Sequence, residues 1–179
     1  MSSKSYGTLS EEAQGELAEI YGEIEKAFGG VPEGLQLFGV SPTLLRSQWR
    51  NLGYFGQHPH LSANFLALLR YILSEEGKCQ FCIGFNEALL LNAGFSKEAI
   101  ASARLDPAHG PLSEQENALL NYVLKAVRDP HSVSEADAAR LRDLGWTDQD
   151  LFDAVAHGAQ HHAVDILFET FRIAPYQPA

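Results

Sequence analysis

Apolar residues recur along most of the chain at the three- and four-residue spacing of an amphipathic helix. Two apolar stripes at this spacing are Phe65, Leu68, Leu69, Ile72 and Leu73, and Leu119, Leu120, Val123, Leu124 and Val127. No segment shows a sustained alternation of apolar and polar residues rich in β-branched side chains, the pattern typical of strands. The pattern therefore predicts an all-α fold.

Helix boundaries are marked by hydroxyl residues that stand just ahead of acidic ones. The hydroxyl can accept a hydrogen bond from a free backbone N–H, and the carboxylates favour the positive end of the helix dipole. Glycines mark the expected stops: Gly77, Gly94, Gly110 and Gly145. These signals predict helices over residues 9–28, 41–54, 62–76, 79–93, 97–104, 113–128, 135–144 and 148–172.

An internal repeat runs through the predicted helices at a constant offset of 51 residues. Residues 61–73 and 112–124 are identical at seven of 13 positions. The turn Gly94-Phe95-Ser96 falls on Gly145-Trp146-Thr147 at the same offset. Because both blocks keep one register, we expect a duplicated helical unit rather than chance similarity between two amphipathic helices.

Length and charge limit the organisation and the partners of the chain. Its 179 residues, 45% of them hydrophobic, suit one all-helical domain over 1–179. Within it we expect an N-terminal helix in 1–30 and a core over 31–172, with repeat units near 61–104 and 112–155. The net charge of −10 argues against nucleic acid and anionic membranes as partners. No secretory signal or membrane segment is visible, so we expect a cytoplasmic protein.

The chemistry is expected at the only two cysteines, which form the motif Cys79-Gln80-Phe81-Cys82. With Gly77 ending the preceding helix, Cys79 should lie at the first turn of the next helix, and Cys82 one turn further on the same face. Free N–H groups at a helix start, together with Lys78, favour a thiolate. Such a thiolate can attack a peroxide, and the second thiol can then close a disulfide.

Two other interpretations of the motif stay open. A Cys-x-x-Cys pair can supply half of a zinc site, whose other ligands would be histidines. The two cysteines can also be small buried residues on a helix face without any chemistry.

The motif and its setting resemble the alkylhydroperoxidase D-like branch of the carboxymuconolactone decarboxylase family. The resemblance covers roughly residues 30–172 and includes the run from Arg128 to Asp137 and the turn Gly145-Trp146-Thr147. It implies an all-α fold, assembly as a homo-oligomer, and reduction of peroxides through the cysteine pair. The fuller family motif also has a Glu about three helical turns before the first cysteine and a His four residues after the second. Here those positions hold Ala67 and Asn86.

Other residues are therefore needed to move protons, and several candidates stand close in sequence or share one helix face. Glu75 and Glu76 lie just before the motif, and Asn86 can form hydrogen bonds but cannot shuttle a proton. The last helix carries a polar stripe with four-residue spacing, with His162 beside it: Asp153, His157, His161 and Asp165.

We expect this polar stripe to be a subunit contact or a hydrated face. The alternatives are a proton relay through His161 or His162, and a metal site at His157 and His161. His58 and His60 are interpreted as turn residues around Pro59.

The sequence thus predicts a single-domain helical bundle with an internally duplicated unit, acting as a peroxide-reducing thiol–disulfide oxidoreductase. Cys79 would attack, Cys82 would resolve, no prosthetic group would be needed, and an external dithiol would supply electrons. One alternative is a lactone decarboxylase or isomerase, as in the cysteine-free branch of the family. Another is a non-catalytic helical oligomer that senses redox state or binds a metal.

Overall fold

The computed structural model describes residues 9–177, and within them every regular element is a helix. By their internal contacts these residues form two compact units, one ending at Gln57 and one beginning at His58. The predicted all-helical class is confirmed. The predicted limits of the domain and of its repeat units stay predictions. Within residues 9–177 no helix combines the length and the apolar character that a membrane span requires.

The first unit consists of three helices: α1 (Glu11–Phe28), α2 (Glu33–Phe38) and α3 (Pro42–Gly56). Its core is made of buried aliphatic side chains from all three: Ile20, Ile24, Leu35 and Leu45. The Arg46 guanidinium on α3 pairs with Glu19 and Glu23 on α1 at 2.9 and 2.8 Å. The helix α2 was not predicted, because six residues are too few to show a period.

The second unit contains α4 (Ala63–Gly77), α5 (Gln80–Asn92), α6 (Lys97–Leu105), α7 (Glu114–Arg128), α8 (Glu135–Asp143) and α9 (Asp148–Phe171). Short 3₁₀ turns at Pro107–His109 and Pro130–Ser132 precede α7 and α8. Helix α4 is the centre of this unit, because α5, α6, α7 and α9 all contact it. All eight predicted helices are present, with ends within two residues of the prediction.

The repeat is visible in the helix bounds. Helix α7 spans the residues of α4 shifted by 51, since 63 + 51 = 114 and 77 + 51 = 128. The equivalent turn glycines, Gly94 and Gly145, have φ values of 94° and 97°, a left-handed conformation that favours glycine. The copies differ after α4 and α7. Cys79 caps a helix that begins at once, whereas Pro130 opens a 3₁₀ turn and the next helix waits until Glu135.

Candidate dithiol site

Cys79 is the N-cap residue of α5, and its sulfur takes the role that a serine hydroxyl has at other helix starts. Helix α4 runs through Gly77, and Lys78 makes the turn in a left-handed conformation with φ of 59°. The Cys79 Sγ then accepts a hydrogen bond from the backbone N–H of Cys82 at 3.4 Å. One of the free N–H groups of the helix start is therefore satisfied by this sulfur, which lies at the positive end of the helix dipole.

Both cysteines are free thiols, and both are buried, with exposed fractions of 0% for Cys79 and 3% for Cys82. A third group, the carboxylate of Asp165 on α9, lies with them. The two sulfurs and one Asp165 oxygen are all within 4.8 Å of one another. Gly77 lies against the same carboxylate, since a β-carbon at Gly77 would stand 3.4 Å from Asp165 Oδ2. A buried carboxylate and two buried thiols therefore share one site between α4, α5 and α9.

Proton affinities in this site follow from burial and from the hydrogen bonds among the three groups. The pKa of the Cys82 thiol is raised, first by its hydrogen bond with Cys79, then by burial and by the charge of Asp165. Burial also raises the pKa of Asp165, although hydrogen bonding to Cys82, Ser74 and Cys79 opposes this increase. Cys82 therefore keeps its proton at neutral pH, and Asp165 is a carboxyl group able to take up a proton.

A serine and a histidine extend the site away from the sulfurs. The Ser74 hydroxyl on α4 lies 3.1 Å from Asp165 Oδ1 and 2.7 Å from His161 Nε2. The hydroxyl has a single hydrogen, so it can donate to only one of these two partners at a time. When it donates to Asp165, His161 must donate to it; when Asp165 holds a proton, Asp165 donates to Ser74 and Ser74 donates to His161. The trio can therefore pass a proton along two hydrogen bonds.

Both histidines of the site are neutral near pH 7. Burial, followed by the charge of Arg70, lowers the pKa of His161 well below its usual range. The same two causes lower the pKa of His157 to about 3. His157 Nε2 lies 3.0 Å from Arg70 Nη1, and because a guanidinium only donates, Nε2 is the acceptor and the ring proton is on Nδ1.

Arg70 brings a positive charge into the same interior. Burial lowers its pKa to about 10, which still leaves the guanidinium protonated at neutral pH. Its Nε donates to Asn86 Oδ1 at 2.7 Å, and Asn86 in turn donates to the backbone carbonyl of Cys82 at 2.8 Å. Arg70 is thereby connected to Cys82 through a single amide side chain.

The structure brings together only some of the residues that the sequence singled out as relay candidates. Asn86 and His161 contact the site as described, but the carboxylates of Glu75 and Glu76 form ion pairs with Arg104 and Arg128. His162 is exposed on the other side of α9.

The polar stripe on α9 is not a hydrated face or a subunit contact, because it is buried within the second unit against α4. His58 and His60 lie in the non-helical segment around Pro59, as interpreted from the sequence, and both also contact acidic side chains of α9. His58 Nε2 lies 3.3 Å from Asp153 Oδ2, and His60 Nδ1 lies 2.9 Å from Asp150 Oδ1. These pairs tie the segment before α4 to the start of α9.

Among residues 9–177, the ligating side chains that come together in a group of three or more are Cys79, Cys82 and Asp165. His157 and His161, the pair considered as metal ligands from the sequence, are not in this group and are engaged by Arg70 and Ser74.

Three contributors to the site were missed from the sequence alone: Arg70, Ser74 and, as a partner of the thiols, Asp165. Arg70 and Ser74 interrupt an otherwise apolar stretch of α4 four residues apart. Polar residues at helical spacing inside an apolar run were the available signal, since buried polar groups need partners.

Comparison with solved structures shows which fold this is. An uncharacterized peroxidase-related protein from Ralstonia eutropha JMP134, described as an alkylhydroperoxidase AhpD core, superposes with a TM-score of 0.78 at 20% identity, covering 98% of this chain and 94% of that one. A peroxidase-related protein from Silicibacter sp. TM1040 gives 0.78 at 17% identity, over 98% and 91% of the two chains.

A protein of unknown function from Agrobacterium tumefaciens, whose name refers to antioxidant defence and AhpD, gives 0.63 at 19% identity, over 79% and 96%. No family model and no curated protein sequence matches the chain. The chain therefore has the alkylhydroperoxidase-like helical fold, as the sequence resemblance predicted.

Proposed function

From the shared fold and the arrangement of the dithiol, we propose that the chain is a thiol–disulfide oxidoreductase that reduces hydroperoxides through Cys79 and Cys82. The observation that carries the proposal is the placing of both sulfurs and the Asp165 carboxylate within 4.8 Å of one another at the start of a helix. The peroxidase-related names of the structural neighbours support the same class of reaction.

In the first step Cys79 is the nucleophile. Its thiol proton passes to Asp165, and the sulfur, which accepts the hydrogen bond from the Cys82 N–H, attacks the terminal oxygen of the peroxide. The O–O bond breaks, Cys79 becomes a sulfenic acid, and the proton held by Asp165 goes to the leaving alkoxide to give an alcohol. Ser74 and His161 hold the carboxyl in place and share its proton.

In the second step Cys82 resolves the sulfenic acid. Oxidation of Cys79 removes the hydrogen bond that chiefly raises the pKa of Cys82, so the second thiol can now lose its proton to Asp165. The Cys82 sulfur attacks Cys79, an S–S bond forms, and hydroxide leaves with a proton as water. An external dithiol then returns two electrons and two protons, so no prosthetic group is required.

Arg70 supports these steps electrostatically. A fixed guanidinium in the interior, joined to the Cys82 backbone through Asn86, offsets negative charge that forms on the sulfurs during the reaction. Because the positive charge is present before the reaction, no side chain has to reorganise when the thiolate forms.

Thiol counting with and without peroxide tests the proposal. The reduced protein should have two free thiols and lose both after one equivalent of peroxide, with a Cys79–Cys82 disulfide found by peptide mapping. Cys79→Ser and Cys82→Ser should each prevent the bridge and stop turnover with a dithiol. Two intact thiols after excess peroxide in the folded wild type would refute the proposal.

A further inference from the structure

A buried oxygen of Asp165 points to a second property of the group formed by Cys79, Cys82 and Asp165. Asp165 Oδ2 is buried, and among residues 9–177 it receives no hydrogen bond from a nitrogen or oxygen donor. A buried carboxylate oxygen without such a donor is costly, and a bound cation is one way to satisfy it. The two sulfurs lie within 4.8 Å of the carboxylate.

We propose that Cys79, Cys82 and Asp165 bind a thiophilic divalent cation, Zn²⁺ being the best fit, and that the bound cation protects the dithiol from oxidation. Two thiolates and one carboxylate are a ligand set that zinc accepts, with Zn–S near about 2.3 Å and Zn–O near about 2.1 Å. In a tetrahedral site such bonds put the sulfurs about 3.8 Å apart, so side chains already within 4.8 Å need to close by about 1 Å at most.

The charges in the surroundings fit a bound dication. Zinc with two thiolates and a carboxylate carries a net charge of −1, and Arg70 supplies +1 nearby. The hydrogen-bonding partners of the Arg70 guanidinium, Asn86 and the neutral His157, do not cancel its charge. Asn86 also donates to the Cys82 backbone carbonyl, so Arg70 is connected through Asn86 to one of the ligand residues. The loaded site would therefore be close to electrically neutral, as burial requires.

Three protein ligands leave a fourth position for water, a pattern that permits the cation to exchange. The protective role rests on the proposed function, because it concerns the same two sulfurs. Sulfurs bound to zinc are not free to attack, and sulfurs joined in a disulfide no longer bind zinc. If peroxide overcomes the protection, the two thiolates give up two electrons and form the S–S bond. The peroxide takes up these electrons with two protons to give alcohol and water, and one Zn²⁺ is released.

Competition between the reduced 179-residue chain and a chromogenic chelator for added zinc chloride tests the site. Wild type should bind one Zn²⁺, and Cys79→Ser and Asp165→Asn should each weaken binding by more than about tenfold. Asp153→Asn is the matched control, since it makes the same change three turns earlier on α9 and should leave the affinity unchanged. Circular dichroism identifies any variant that fails to fold, and Cys82→Ser then replaces it.

Wild-type binding no tighter than that of folded Cys79→Ser would overturn the site, and unchanged binding by folded Asp165→Asn would overturn the three-ligand assignment. One equivalent of zinc should make thiol oxidation by peroxide at least about tenfold slower, and an unchanged rate would overturn the protective role. If zinc binds but the disulfide never forms, the peroxidase proposal is refuted and the metal site stands. If the disulfide forms but no zinc binds, only the metal-site proposal is refuted.

Discussion

The backbone N–H of Cys82 donates a hydrogen bond to the sulfur of Cys79 at 3.4 Å. The two sulfurs, one helical turn apart, therefore have different electrostatic surroundings. The sulfur of Cys79 is at the helix start and accepts from the backbone, whereas the Cys82 thiol donates towards Cys79 and has a raised pKa. This asymmetry assigns the two sulfurs different roles in the proposed reaction, although the motif itself is symmetrical.

The first prediction separates these roles. In Cys82→Ser, Cys79 should react once with peroxide and remain as a sulfenic acid, which a dimedone adduct identifies by mass spectrometry. In Cys79→Ser, burial and the charge of Asp165 still raise the pKa of Cys82, so its reaction should be slower by more than about tenfold. Fast adduct formation in Cys79→Ser and none in Cys82→Ser would reverse the assignment.

The second prediction concerns Asp165, whose replacement by Asn keeps the shape but removes the proton acceptor. If proton transfer is the dominant effect, oxidation of Cys79 at neutral pH should slow by about 10²–10⁴-fold. The loss of a nearby negative charge acts in the opposite direction, because it favours the thiolate. Stopped-flow rates of thiol loss, with Asp153→Asn as the control, distinguish the two. A faster reaction in Asp165→Asn would exclude Asp165 as the base.

The third prediction follows from the buried neutral histidines. The pKa of His157 is about 3 in the folded chain, below its ordinary value of 6.5. Its contribution to stability is therefore complete above about pH 6.5 and is lost as the pH falls towards about 3, because the unfolded state binds the proton first. Each such histidine changes the free energy of unfolding by up to about 1.4 kcal/mol per pH unit.

Urea unfolding between about pH 7 and about pH 4 should accordingly show less loss of stability in His157→Gln than in wild type. Asp165 has the opposite sign, since its raised pKa makes its contribution decrease as the pH rises above the ordinary value of 3.8. Single variants are therefore compared, and the exposed His131→Gln is the control. Equal pH slopes for His157→Gln and wild type would contradict the buried neutral state.

The elements of the fold were predictable from the sequence to different degrees. Helices with a period and a hydroxyl cap were found to within two residues, and the repeat offset of 51 reappears in the bounds of α4 and α7. Helix α2 was missed because it spans six residues, and Pro32 before it makes no side-chain cap. Local sequence signals therefore predicted the long helices but not the short one.

The site was less predictable, because its contacts join residues far apart in the chain. Periodicity showed that His157, His161 and Asp165 share one face of α9, but a period does not say what that face meets. The bonds from Ser74 to His161 and Asp165 span 87 and 91 residues. Only the packing of α9 against α4 creates them, and no local pattern contains that information.

The fourth prediction tests how closely α9 packs against α7. A β-carbon at Gly158 on α9 would stand 3.0 Å from Val123 and 3.2 Å from Val127, both on α7. Gly158→Ala should therefore destabilise the chain by about 1–2 kcal/mol, because overpacking outweighs the gain in helix propensity. Gly15→Ala on α1 meets nothing within 4 Å and should be stabilising by about 0.5–1 kcal/mol. Urea unfolding measures both, and a neutral Gly158→Ala would contradict the close approach.

The last prediction concerns how an oxidant reaches two buried sulfurs. After α9 the chain turns back, and Tyr176 packs on α5 with its Cβ 3.3 Å from the β-carbon position of Gly84. Its ring lies 5.8 Å from that of Phe81, one of the two residues between the cysteines, and 5.4 Å from that of Phe85. Phe81 also contacts Phe168 edge to face at 5.4 Å. Phe81, Phe85, Phe168 and Tyr176 therefore form one aromatic cluster that includes a residue of the motif.

Because both sulfurs are buried, an oxidant needs an opening to reach them. We expect this opening at the aromatic cluster, because Phe81 belongs to the motif itself. Tyr176→Ala removes one wall of the aromatic cluster and should make thiol reaction with Ellman's reagent several-fold faster, by about 2–10-fold for an opening that costs about 0.5–1.4 kcal/mol less. Phe152→Ala, which truncates an exposed aromatic elsewhere on α9, should not change the rate. If the folded Tyr176→Ala variant reacts at the wild-type rate, Tyr176 does not control access to the sulfurs.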